Sequence, residues 1–302
     1  MSGSFPPRAG EAVELEPGLL RLIAPNPSPM TQAGTNSYLL GERSLAVIDP
    51  GPADRAHLDA LLQAIGGRRV SHIIVTHSHL DHSPLARPLA EVTGAPVLAF
   101  GGPQAGRSAV MERLAETGLA GGGEGIDRDF APDEILGDGT EISGDDWRLT
   151  ALHTPGHIGN HLCLAWGEAI FTGDHVMGWA SSLVSPPDGD LTDFMASCER
   201  LRDLPARVFH PGHGAPVAEP SARLDWLIGH RRAREADILK ALSMRSGSVT
   251  ELTSAIYTDV PPALLPAAAR NVFAHLVDLL GRGLVEARPA LSFTAEFALR
   301  ET

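Results

Sequence analysis

The stretch that most constrains this 302-residue chain runs from Val70 to His82 and ends in His77-Ser78-His79-Leu80-Asp81-His82. Residues 70–76 are rich in β-branched side chains and read as a strand buried on both faces, which delivers the six-residue cluster to a sheet edge. His77 and His79 are two apart, so in extended backbone both imidazoles point the same way and can share one metal ion. Asp81 and His82 follow where the backbone turns, free to face a second ion. Neutral imidazoles mixed with carboxylates hold a borderline divalent cation yet leave a coordination position open, whereas structural zinc sites are closed by four ligands.

The flanking pattern supplies the frame for that cluster. Residues 19–24 and 36–40 read as strands, and Gly41-Glu42-Arg43 turns the chain into the apolar run 45–48, which ends at Asp49-Pro50-Gly51. Asp49 fits either a partner supporting a metal ligand or a plain turn aspartate. Leu58, Leu61, Leu62 and Ile65 form one stripe of a helix over 54–65 that Gly66-Gly67 ends. Strand, helix, strand at this spacing implies a βαβ unit, with the cluster at the C-terminal end of its second strand, where α/β sheets place ligand sites. A helix over 84–93, capped by Ser83 with Pro84 at its first position, and a strand over 96–100 come next. Residues 101–128, glycine-bracketed around a helical 108–116, read as either a lid or a surface insertion.

More metal-ligating types follow at the ends of predicted strands. His157 lies in His153-Thr-Pro-Gly-His157-Ile-Gly-Asn-His161 after a strand over 147–152, and would complete three nitrogens for one ion with His77 and His79. Asp174 follows a hairpin over 162–172. Its two carboxylate oxygens can bridge two ions, which an imidazole cannot do. His213, after a strand at 207–209, would close the second ion's shell with Asp81, His82 and Asp174. The loop 177–190 is expected to wall the cleft ahead of a helix over 191–201. His161, Trp179 and Ser181 are candidates for substrate contact, with His153 and His161 open to a supporting role instead.

These residues and their order resemble the metallo-β-lactamase superfamily over residues 15–218. The resemblance implies an αββα sandwich with two divalent metal ions between sheet edges. Zn²⁺ is the expected ion, and Mn²⁺ or Fe²⁺ suits the same donors. A shared water would become the attacking hydroxide, and Asp81 is a candidate for returning a proton to the leaving group. Residues 221–245, 249–257 and 264–280 read as helices and 284–287 with 291–297 as a hairpin, a small winged-helix pattern. That tail is similar to the one carried by the β-lactamase-like protein 2 group, whose known members cut single-stranded RNA. The expected division is therefore a catalytic domain over 1–220 and a linking helix with a winged-helix domain over 221–302. Asp174 stands where the main zinc β-lactamases have cysteine, which argues against antibiotic hydrolysis. His79 stands where redox di-iron relatives carry glutamate, which favours hydrolysis over electron transfer.

Charge and composition separate the remaining functions. Residues 221–302 hold 10 Lys and Arg against 9 Asp and Glu, leaving 14 against 28 in residues 1–220. An acidic catalytic part and a neutral tail disfavour avid, non-specific nucleic-acid binding. The expectation is thus a binuclear metal-dependent hydrolase. Its substrate is single-stranded RNA or another phosphodiester, or alternatively a small-molecule ester, as in thioesterases, lactonases and glyoxalase II relatives. A nucleic-acid-binding module with structural metals ranks last. Two cysteines, no signal-peptide core at the start and no stretch approaching 20 apolar residues point to a cytoplasmic protein that needs no membrane. The same chain is compatible with a homodimer.

Overall fold

The computed structural model describes residues 8–123 and 125–300. Within them, β1 (Val13–Glu16), β2 (Leu19–Ile23), β3 (Asn36–Leu40) and β4 (Ser44–Ile48) form an antiparallel meander. Helix α1 (Arg55–Ile65) then crosses to β5 (Arg69–Ile74), which lies parallel to β4. Asp54 caps α1 by accepting from the His57 amide at 2.8 Å, and Gly66 ends it in the left-handed region at φ 61°, a conformation glycine adopts without a Cβ clash. Helix α2 (Ala86–Thr93), β6 (Val97–Ala99), α3 (Ala109–Glu116) and β7 (Glu134–Ile135) complete a seven-stranded sheet in chain order.

The second sheet has five strands, β8 (Glu141–Ser143), β9 (Arg148–His153), β10 (Leu162–Trp166), β11 (Ala169–Gly173) and, after α4 (Leu191–Arg202), β12 (Val208–Pro211). Side-chain alternation decides the layering. On β4, Leu45 and Val47 face one core with α1 and α2, while Ala46 and Ile48 face Leu149, Leu162, Leu164 and Phe171 of the second sheet. On β10, Cys163 points the other way, into a core with Phe194 and Leu201 of α4. Helices therefore cover both outer faces and the sheets share an apolar centre, the αββα sandwich expected from the sequence.

Helix α5 (Pro220–Met244) joins two cores. Leu224, Leu227 and Ile228 pack with α4, whereas Ile238 and Leu242 pack in a C-terminal lobe. The lobe contains β13 (Gly247–Ser248), α6 (Val249–Ile256), α7 (Leu265–Gly281), β14 (Val285–Arg288) and β15 (Glu296–Leu299). Ser248 and Glu251 form a reciprocal capping box at the start of α6. Residues 101–128 are an insertion rather than a free lid. Met111 and Leu114 of α3 are buried in the lobe's core, and Arg270 of α7 donates to the Ala120 carbonyl at 2.7 Å.

Three sequence expectations need correction. The helix expected from residue 84 begins at Ala86, because the Ser83 hydroxyl donates to Asp127 at 2.8 Å instead of capping a helix. The last strand spans Glu296–Leu299 rather than 291–297, and pairs Phe297 with Ala287. Finally, Pro262–Gly281 is long and apolar enough to cross a membrane by length and composition. Here its apolar face is used otherwise: Val272, Phe273, Leu276 and Leu279 lie in the lobe's core.

Candidate metal centre

Strand β5 ends at Ile74 and the residues after it pass under Asp49, which holds the chain at the point where the histidine run begins. Asp49 accepts from the Thr76 amide and hydroxyl, each at 2.7 Å, and from His82 Nδ1 at 2.9 Å. Of the two readings open in the sequence, support for a ligand is the one the contacts describe. Asp49 adopts φ 49°, a left-handed conformation that Asp and Asn tolerate better than most residues.

His77, His79, His157 and Asp174 bring one donor atom each within 4.8 Å of one another, and Asp81, His82 and His213 form a second such group. In the first, His79 Nδ1 lies 3.0 Å from His77 Nε2 and 3.1 Å from His157 Nε2. Asp174 stands between the groups. Its Oδ2 is 3.7 Å from His157 Nε2 and 3.3 Å from His213 Nε2, and its Oδ1 is 3.5 Å from His82 Nε2. Asp81 Oδ2 accepts from the Thr35 hydroxyl at 3.1 Å and lies 3.1 Å from His213 Nε2.

Donor and acceptor logic fixes the direction of the lone pairs. His157 Nδ1 is 2.7 Å from the Leu183 carbonyl and His213 Nδ1 is 3.2 Å from the Gly34 carbonyl. A carbonyl only accepts, so both rings donate there through Nδ1 and turn Nε2 inward. His82 does the same against Asp49. The Thr76 hydroxyl has given its one proton to Asp49, so at 3.0 Å it accepts from His77 Nδ1. Four Nε2 atoms thus converge with two carboxylates. Buried Asp81 Oδ1, Asp174 Oδ1 and His82 Nε2 have no hydrogen-bond partner, an arrangement that cations would satisfy.

Electrostatics agree with this division. Burial pushes His77 well below the usual histidine range and His79 down to about 3, and burial likewise lowers His157, so all three stay neutral. Burial alone would raise Asp81 and Asp174, but the neighbouring His82 and His213 outweigh it and hold both carboxyls well below the usual range. The converse holds for the imidazoles: despite burial, the two carboxylates raise His213 to about 10 and His82 well above its usual value. Among the protein groups alone, protons occupy those two rings, and cations binding there would displace them.

The substrate candidates separate. His161 is fully buried; its Nδ1 lies 3.0 Å from the Thr154 hydroxyl and its Nε2 accepts from the Asp174 amide at 3.2 Å. It sits beneath the centre and holds the Asp174 amide, contacts that describe the supporting role the sequence left open beside substrate contact. His153 stacks on Phe100 with ring centroids 3.7 Å apart, away from the two groups. Trp179 and Ser181 do line an open cavity beside the centre. Sequence reasoning missed Thr35, which orients Asp81. It also missed the Gly34 and Leu183 carbonyls, which carry no residue-type signal at all.

An αββα sandwich with this arrangement defines a metal-dependent hydrolase, and the chain belongs to the metallo-beta-lactamase superfamily, whose profile matches residues 30–213. A beta-lactamase associated winged helix domain matches residues 248–290. The chain is 33% identical over 290 residues to a beta-lactamase-like protein 2 homolog of Drosophila melanogaster, covering 89% of this chain and 90% of the relative. It is 31% identical over 245 residues to an atrochrysone carboxyl ACP thioesterase of Aspergillus fumigatus, covering 78% of this chain and 68% of the relative. A crystal structure of a metallo-beta-lactamase family protein from Thermus thermophilus matches with TM-score 0.75 and 27% identity, over 95% of this chain and 100% of that one.

Proposed function

We propose that this protein hydrolyses a small carboxylic ester or thioester at a binuclear zinc centre. His77, His79 and His157 would hold one ion and Asp81, His82 and His213 the other, with Asp174 between the two groups. The observation that carries the reading is the convergence of four inward Nε2 atoms and two ionised carboxylates on one space. The nitrogens of the first group lie 3.0 and 3.1 Å apart, against an N···N separation of about 3.3 Å around tetrahedral zinc with Zn–N bonds of ~2.0 Å. Two such ions would lower the pKa of water towards ~7, supplying a hydroxide nucleophile and positive charge for the oxyanion that forms. Asp81, whose Oδ2 lies 3.1 Å from His213 Nε2, would be the candidate group for returning a proton to the leaving group.

Ester chemistry is favoured over phosphodiester chemistry by charge. Residues 1–220 hold 28 acidic against 14 basic side chains, which repels a polyanion. A relative named as a thioesterase aligns with most of the chain. Single-stranded RNA is a second reading because a winged helix domain is matched at 248–290, although the tail holds nearly equal charges of both signs. The metal-loaded protein assayed on acyl thioesters, bis-p-nitrophenyl phosphate and single-stranded RNA separates the two. Thioester turnover that disappears in His79→Ala is the expected result. RNA cleavage with no ester turnover would overturn the ester reading.

A further inference from the structure

A cavity of about 230 Å³ lies between the loop after β11 and the C-terminal lobe, walled by Met30, Trp179, Leu183, Tyr257, Leu264 and Ala267. It abuts the metal centre at two points. The Leu183 carbonyl accepts from His157 while its side chain lines the cavity. Trp179 packs against Gly214, where an added Cβ would lie 2.7 Å from its ring, directly after His213. Trp179 and Leu264 keep 38% and 37% of their surface in solvent, large apolar groups left open beside a polar reaction centre. A neighbouring cavity of about 440 Å³ shares Met30, Leu183 and Leu264 and continues to Gly122 and Gly123.

The polar groups at the floor are engaged only in part: Ser181 lines the cavity, and Arg231 Nε is buried without a hydrogen-bond partner. Asn271 Oδ1 accepts from the Val184 amide at 3.1 Å and from Arg231 Nη1 at 2.8 Å, and Arg231 also donates to the Ser182 carbonyl. His230 stacks on Trp226 with ring planes 5° apart. What the cavity offers an occupant is mainly apolar side-chain surface with one buried guanidinium, Arg231, at its floor, which suits a hydrocarbon chain better than a nucleotide.

We infer that this cavity is the subsite for the apolar acyl chain of the substrate, and that Leu264 and Ala267 of the C-terminal lobe set the chain length accepted. The inference rests on the ester reading above. The lobe then acts as a specificity wall: the carbonyl carbon sits at the metal centre and the alkyl tail runs between loop and lobe.

Binding and turnover test it separately. Calorimetry of straight-chain carboxylates from acetate to decanoate on the metal-loaded protein is expected to show affinity rising about four-fold per methylene until the chain fills the cavity. Ala267→Phe is expected to erase the increments beyond short chains, and kcat/KM for the matching acyl thioesters to follow the same break. Leu264→Ala, a truncation at a partly exposed position, is expected to lower octanoate affinity several-fold without opening a core. Affinities that do not change with chain length overturn the inference even if thioesters are hydrolysed. Increments that persist in both variants overturn the placement. Increments that vanish in Ala267→Phe, in a protein that cleaves no ester, support the subsite and overturn only the ester reading.

Discussion

Replacing Asp49 by Asn tests whether the inward lone pairs are imposed by their supporting contacts. Asn tolerates the φ of 49° at this position, so the backbone is not the variable. Its single oxygen can keep the Thr76 amide, but its NH₂ then faces the Thr76 hydroxyl and His82 Nδ1, both of which donate to Asp49 at 2.7 and 2.9 Å. His82 would have to move its proton to Nε2, the atom that faces Asp81 and Asp174 at 3.3 and 3.5 Å. That proton blocks the second cation position. Loss of such a supporting partner weakens metal affinity about 10–100-fold, or about 1.4–2.7 kcal/mol. Competition with a graded series of chelators, read with elemental analysis, should show Asp49→Asn losing one of two ions first while His77, His79 and His157 keep the other. Two ions retained at wild-type affinity would refute the tautomer argument.

Other expectations follow from the same contacts. Asp174→Ala removes the carboxylate shared by both groups, and elemental analysis should find metal content reduced along with most turnover. In chelator-treated protein His213 sits at about 10 against about 6.5 unfolded, so its contribution to stability is complete below pH ~6.5 and is lost as pH rises through ~10. Urea midpoints across that window should fall for the chelated protein, and adding Zn²⁺ at pH 7 to weakly buffered protein should release protons. Leu227→Ala, at a fully buried position where α5 meets α4, should cost about 2–5 kcal/mol of stability by urea titration with metal present.

The candidate donors were visible in the sequence because they are coded by residue type, and the structure gathers them into two groups. The period of a strand, expected to put His77 and His79 on one face, is not what brings them together: β5 ends at Ile74, three residues before His77, and the two rings still meet, with His77 Nε2 3.0 Å from His79 Nδ1. The layering was expected only through the family resemblance, because the run 45–48 reads as uniformly apolar and its alternate residues fill different cores. What could not be read was non-local or carried by backbone. The Leu183 carbonyl orients His157 from 26 residues away, and any residue type would supply that oxygen. Helix α3 was legible as a helix, but its partners, Val272 and Phe273 among them, lie more than 150 residues further on. His161 was open between substrate contact and a supporting role by sequence, and its contacts to Thr154 and the Asp174 amide describe the second. Ser83 had the residue type of a cap and was recruited by Asp127 instead.

Helix α5 is a continuous rod of 25 residues, about 37 Å long, with one end anchored among the sandwich's aliphatic residues and the other in the tail. Neither half can be excised cleanly, since a cut near residue 220 would leave a greasy strip on the piece that remains. The two halves should melt as one cooperative unit, and the gap between them keeps a width determined by covalent chain instead of by docking.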